Sequence, residues 1–169
     1  FVDAYLANYH FDKYNLKKAC EHFKNVTLLE PNDYNSCYNT ARAYYDLSYI
    51  YYIMGKQNLS LDANQKSFEY FSKINNSKGL AFVYSNYANI YTAIGDKKRA
   101  IENADKAIKS YKNIDNTYNV YIGLINKISI YDFLNDSRKV ALIDSTYQAF
   151  INSKDESKIL VVCKNHIIK

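Results

Sequence analysis

Residues 80–111, LAFVYSNYANIYTAIGDKKRAIENADKAIKSY, decide the fold. In the first half, Phe82, Tyr84, Tyr87, Ala88, Ile90, Tyr91 and Ile94 recur at three- and four-residue spacings, the pattern of a helix packed on both flanks. Gly95 can adopt the left-handed backbone that ends a helix, and Asp96 is a good N-cap for the next one. In the second half Ala100, Ala104, Ala107 and Tyr111 fall on one face, widened by Ile101 and Ile108. Alanines let two backbones approach closely, so the stretch reads as a helical hairpin.

The same spelling recurs every forty residues: Ile50-Tyr51, Ile90-Tyr91 and Ile130-Tyr131, each followed by Met54, Ile94 or Leu134 and then by Gly55, Gly95 or Asn135. The register reaches back to Phe11, Tyr14 and Asn15. A fixed period between roughly 20 and 50 residues marks a solenoid, in which each unit buries its apolar face only by stacking on its neighbours.

The aromatic first helix (Tyr84, Tyr87, Tyr91), the small Ala88, the Gly95-Asp96 turn and the Ala100/Ala107 pair resemble the tetratricopeptide repeat family. Residues 16–31, LKKACEHFKNVTLLEP, look like that family's second helix with its closing proline, through Ala19, Phe23, Val26 and Pro31. The forty-residue period is similar to the long repeats of bacterial signalling proteins. The resemblance implies an all-α, right-handed α-solenoid of antiparallel helix pairs. The expected units are 1–31, 32–75, 76–114 and 115–152, with a terminal helix at 154–169 opened by a capping-box spelling, Ser153 to Glu156. Within the second unit, residues 56–60 read as an extended loop with Asp62 as a later cap, because this unit lacks its neighbour's alanine spacing. The chain begins at Phe1 rather than methionine and reads as a segment of a larger protein.

Composition narrows the function. Four glycines and one proline give little punctuation for an all-β fold, and there is no apolar run long enough to span a membrane. Net charge is +5, with 19 lysines against three arginines; abundant Lys, Asn, Ile and Tyr match the bias of an AT-rich genome, and a nucleic-acid partner is not expected. Cys20, Cys37 and Cys163 are too widely spaced for a zinc site and read as buried apolar residues. His10 and His22 lie on facing helices of one hairpin, but no acidic pair accompanies them at ligand spacing. Catalytic and phosphate-binding motifs are absent, so the expectation is a binding module without enzyme activity or cofactor. A cytoplasmic location is expected, with a periplasmic sensor segment as the alternative.

A curved stack of hairpins offers a concave surface lined by its first helices. Carrying the register from the family geometry gives three inward columns: Tyr5, Tyr45, Ser85 and Ile125; Tyr9, Tyr49, Asn89 and Ser129; Leu6, Asp46, Asn86 and Asn126. Arg42 and Tyr52 border them. Tyrosines supply rigid contact area and amides pair with an extended backbone, so a peptide or protein segment is the expected ligand, with Asn86 and Asn89 as its foremost contacts. The lysine-and-asparagine carboxylate clamp of chaperone-binding relatives is not expected, since Phe82 and Ser85 stand there. The competing reading is a scaffold that self-associates as a homodimer through its exposed ends.

Overall fold

The computed structural model describes residues 2–28, 30–114 and 117–152, and the terminal helix expected at 154–169 lies outside them. The described residues form eight α-helices and no strand: α1 (Val2–Asp12), α2 (Leu16–Thr27), α3 (Tyr34–Ile53), α4 (Gln57–Lys73), α5 (Ser77–Ile94), α6 (Lys97–Asn113), α7 (Thr117–Phe133) and α8 (Arg138–Asn152). They pair as four antiparallel hairpins, α1/α2, α3/α4, α5/α6 and α7/α8, and each second helix also packs on the first helix of the next unit. Direct contact of α3 with α5 and of α5 with α7 makes the first helices an inner layer.

One turn recurs at the end of every first helix. Gly55, Gly95 and Asn135 take left-handed backbone, with φ of 70°, 84° and 50°. The next amide then reaches back five residues: Lys56 N–H to Tyr51 O at 2.8 Å, Asp96 N–H to Tyr91 O at 2.9 Å, Asp136 N–H to Tyr131 O at 2.7 Å. A second bond, from Gly55, Gly95 and Asn135 to Tyr52, Thr92 and Asp132, completes a Schellman motif in each. Tyr51, Tyr91 and Tyr131 therefore occupy equivalent places in successive units. In the first unit the motif lies one residue early, with Tyr14 at φ 55° and Asn15 N–H donating to His10 O at 2.8 Å.

These turns re-enter a helix at once. Asn15, Asp96 and Asp136 accept from the amides of Lys18, Arg99 and Arg138, and Asp33 forms a capping box with Ser36. The extended loop expected over residues 56–60 is a correction: α4 starts at Gln57, directly after the turn, although Lys56 provides no side-chain cap. The reason lies in its buried stripe. Ser60, Asn64, Ser67 and Phe71 stand forty residues before Ala100, Ala104, Ala107 and Tyr111 and are buried like them. Small hydroxyl and amide side chains do the alanines' steric work, so the helix keeps its full length.

The core is a series of small clusters, several of which straddle the junction between successive units. Ala7, Ala19, Phe23, Leu47 and Ile50 close the first junction, and Ala88, Ala100, Ala104 and Ile130 the third. The closest approach at a glycine is one the sequence pattern gives no hint of: a Cβ built on Gly79 would lie 2.3 Å from the Phe71 ring, so α4 and α5 meet where only hydrogen fits. Gly123 stands in the same relation to Ile108, less tightly, at 2.9 Å.

Candidate functional site

The inner face of α3 gathers four of the expected groove residues. Arg42, Tyr45, Asp46 and Tyr49 line a hollow of about 320 Å³ whose other walls are Asn8, Phe11 and Asp12 of α1 and Phe23 of α2. Arg42 and Tyr45 also border a smaller hollow of about 100 Å³ toward α5, with Tyr38, Lys78 and Phe82. The two residues thus form a ridge between adjacent depressions of one trough. Aromatic contacts fix its walls: Tyr49 lies 6.0 Å from Phe11 and stacks on Tyr52 at 6.4 Å, and Tyr45 lies 6.2 Å from Phe82.

The charged centre is a pair on consecutive turns of α3. Arg42 Nε donates to both Asp46 carboxylate oxygens, at 3.1 and 3.3 Å. Asp46 is largely withdrawn from water, its side chain 18% exposed, whereas Arg42 stays half open to solvent. Desolvation pushes the Asp46 carboxyl up to about 6, against the opposing pull of Arg42. The neighbouring Tyr45 phenol is also pushed well above its ordinary value, first by burial and then by the Asp46 charge. A carboxylate kept in a hollow at a cost in solvation is what a binding site shows more often than a structural surface does.

The other expected positions separate from this centre. Tyr5 and Tyr9 project from α1 as exposed side chains and do not line the hollow. Ser85 is tied to the Tyr111 hydroxyl at 3.3 Å, and Ser129 donates to its own helix at Ile125 O, 3.2 Å away. Ile125, from the same column as Tyr45, belongs to the core. Asn89 and Asn126 are half-buried on α5 and α7, and their amides make no hydrogen bond to the described residues.

Asn86 is the clear correction. It is 2% exposed and faces the interior, where its Nδ2 donates to Ser48 Oγ at 2.8 Å and to Asn64 Oδ1 at 3.1 Å. Around it Ser48 and Ser60 exchange hydroxyl-to-carbonyl bonds at 2.7 and 2.8 Å, Ser67 donates to Ala41 O and Asn64 to Val83 O. A polar seam therefore joins α3, α4 and α5, and within it Asn86 Oδ1 has no hydrogen-bond partner among the described residues. The register equating Ser60, Asn64 and Ser67 with the alanines of α6 was the signal that could have revealed it.

Among the described residues, the other hollow and side-chain clusters lack this combination. A larger cleft of about 450 Å³ lies among α2, α3 and α4, walled by Tyr44, Leu47, Tyr51 and Leu59; its charges, such as Lys66 and Glu69, pair at the rim in open solvent. His10 and His22 do meet, but as parallel rings 5.5 Å apart, with Asp3 accepting from or facing His22 Nδ1 at 2.8 Å. Stacked rings do not converge their nitrogens on one point, and among the described residues no group of three ligating side chains could hold a metal. Cys20 and Cys37 are buried free thiols, and burial pushes the Cys20 thiol up, away from reactivity.

The tetratricopeptide repeat family model matches residues 39–113. No curated protein sequence matches the chain. Among solved structures, the chain is similar to the crystal structure of BtubC (BKLC) from P. vanneervenii, with a TM-score of 0.75 at 17% identity over 91% of this chain. The likeness covers 64% of that structure's own chain, and at this identity it concerns the fold.

Proposed function

We propose that this chain, a tetratricopeptide repeat protein by its match over residues 39–113, holds an extended peptide or protein segment in the trough lined by α1, α3 and α5. Such repeats generally mediate protein–protein interaction, and the reading places the grip at the N-terminal end of the trough. The supporting observation is the desolvated Asp46 beside Tyr45 and Tyr49 in an open hollow. Rigid phenols give contact area with a polar tip, and the Arg42–Asp46 pair offers one donor and one acceptor edge to a ligand backbone or side chain.

Peptides selected from a displayed library on the immobilised chain test this. Loss of capture by Tyr45→Ala/Tyr49→Ala, with the fold intact by circular dichroism, is the expected result. Unchanged capture by that double variant would overturn the assignment. In the same reading the module is the regulatory or sensor region of a larger bacterial signalling protein, a context supported by the forty-residue period; the domains flanking it in the parent chain test that part separately.

A further inference from the structure

The turns joining first to second helix all lie along one edge of the stack, and they share a chemistry that the trough does not use. Each left-handed turn pushes an apolar side chain into solvent: Tyr14 is 89% exposed and Phe133 66%, with Ile53, Met54 and Ile94 near half exposure between them. Around these tips the same turns carry nine basic residues and four acidic ones over residues 12–18, 53–56, 94–99 and 132–139. The opposite edge, at residues 27–34 and 73–78, carries two of each sign.

The pairing is uneven along this edge. Toward the C-terminal end the cations are engaged: Lys97 and Arg138 both reach Asp136, Lys139 reaches Asp132, and Arg99 reaches Asp96. Lys13, Lys17, Lys18, Lys56 and Lys98 form no ion pair with the described residues. Five free ammonium groups thus surround Tyr14, Ile53, Met54 and Ile94, a positive field interrupted by separate greasy points.

We propose that this edge is a peripheral docking surface for an anionic lipid bilayer. Lysine is a hydrated point charge suited to a diffuse negative layer rather than to a bidentate partner. Apolar side chains standing one or two per unit, with no shared pocket, fit a headgroup layer that yields around each tip, and aromatic rings such as Tyr14 and Phe133 favour that interface. An acidic protein would gain little from isolated tips, and a nucleic acid would leave the aliphatic ones unused. No helix among the described residues is long and apolar enough to cross a membrane, so the contact is superficial.

Sedimentation with phosphatidylcholine vesicles, with and without phosphatidylserine, tests the proposal. The chain is expected to pellet only with the anionic vesicles and to be released by salt. Each lysine near a charged leaflet is worth about five-fold in partition, so Lys17→Glu/Lys98→Glu lowers it about 25-fold or more. Ile94→Ser lowers it several-fold without altering the salt dependence, and Tyr45→Ala in the trough leaves it unchanged. Equal partition into neutral and anionic vesicles, or no partition into either, overturns the proposal. So does a lysine-dependent association with single-stranded RNA or polyglutamate that exceeds the one with anionic vesicles.

Discussion

Replacing Asn86 by alanine tests the polar seam most directly. The substitution removes the bonds from Nδ2 to Ser48 Oγ and to Asn64 Oδ1. Ser48 keeps its exchange with Ser60, but the Asn64 carbonyl is left in the interior without a donor. Two net hydrogen bonds contribute about 1 kcal/mol each, and a stranded buried acceptor costs about 1–3 kcal/mol more. Part is recovered, because the unpartnered Asn86 Oδ1 disappears with the side chain. The balance is a destabilisation of about 2–4 kcal/mol, which lowers Tm by about 4–16 °C for a chain of this size. Asn89→Ala, on the same helix but with its amide unbonded, changes stability by less than about 0.5 kcal/mol. Thermal unfolding followed by circular dichroism distinguishes the two. Adding Asn64→Ala to Asn86→Ala costs less than the sum of the single changes, since no acceptor is then stranded. Equal effects at 86 and 89, or strict additivity at 64 and 86, would refute the seam.

Three further outcomes follow from the packing and the charges. Gly79→Ala drives a methyl group into the Phe71 ring and destabilises by about 1–3 kcal/mol, while Phe71→Leu in the same chain relieves the clash; urea denaturation reads both. Gly95→Ala forces alanine to φ 84° and costs about 1 kcal/mol, whereas Asn135→Gly in the equivalent turn gains a few tenths to about 1 kcal/mol in the same assay. For Asp46 the folded carboxyl, near 6, binds its proton more tightly than the unfolded one, whose ordinary value is 3.8. Its stabilising contribution is present below about pH 4 and is lost as pH rises through 6, an effect on the order of 3 kcal/mol. Asp46→Asn therefore raises stability at pH 7 relative to the parent chain and narrows the difference at pH 4, as urea midpoints at the two pH values will report.

The turn grammar was legible at Gly95 and Asn135, but not at residues 56–60, where the pattern predicts a loop and α4 begins at once, nor in the first unit, where the left-handed residue is Tyr14. A glycine or asparagine at 55, 95 and 135, followed at the last two by a capping aspartate, specifies the Schellman closure locally, and local rules survive without knowledge of the partners. The alanine stripe of α6 was legible for the same reason. The equivalent stripe of α4 was not, because serine and asparagine at buried positions look like loop residues until their partners across the junction are known. Asn86 was misplaced by the same physics: an amide on an inner helix points to the trough or to the core according to what faces it, and Ser48 and Asn64 lie 38 and 22 residues away. At Arg42, Tyr45, Asp46 and Tyr49 the register did select neighbours, since spacing along a single helix sufficed.

The junctions of this stack are not interchangeable. Between α5, α6 and α7 the meeting surfaces are mainly apolar, alanine and isoleucine with Tyr91, Tyr111 and Leu134, which accept many partners of suitable size. Between α3, α4 and α5 the side chains of Ser48, Ser60, Asn64, Ser67 and Asn86 each bond a specific counterpart, so a unit grafted there from elsewhere would leave several of them stranded. Units two and three therefore form an indivisible pair for chimeras and for evolutionary shuffling, and a cut or insertion at residues 75–76 would break a lock that the same operation at residues 113–117 would not meet.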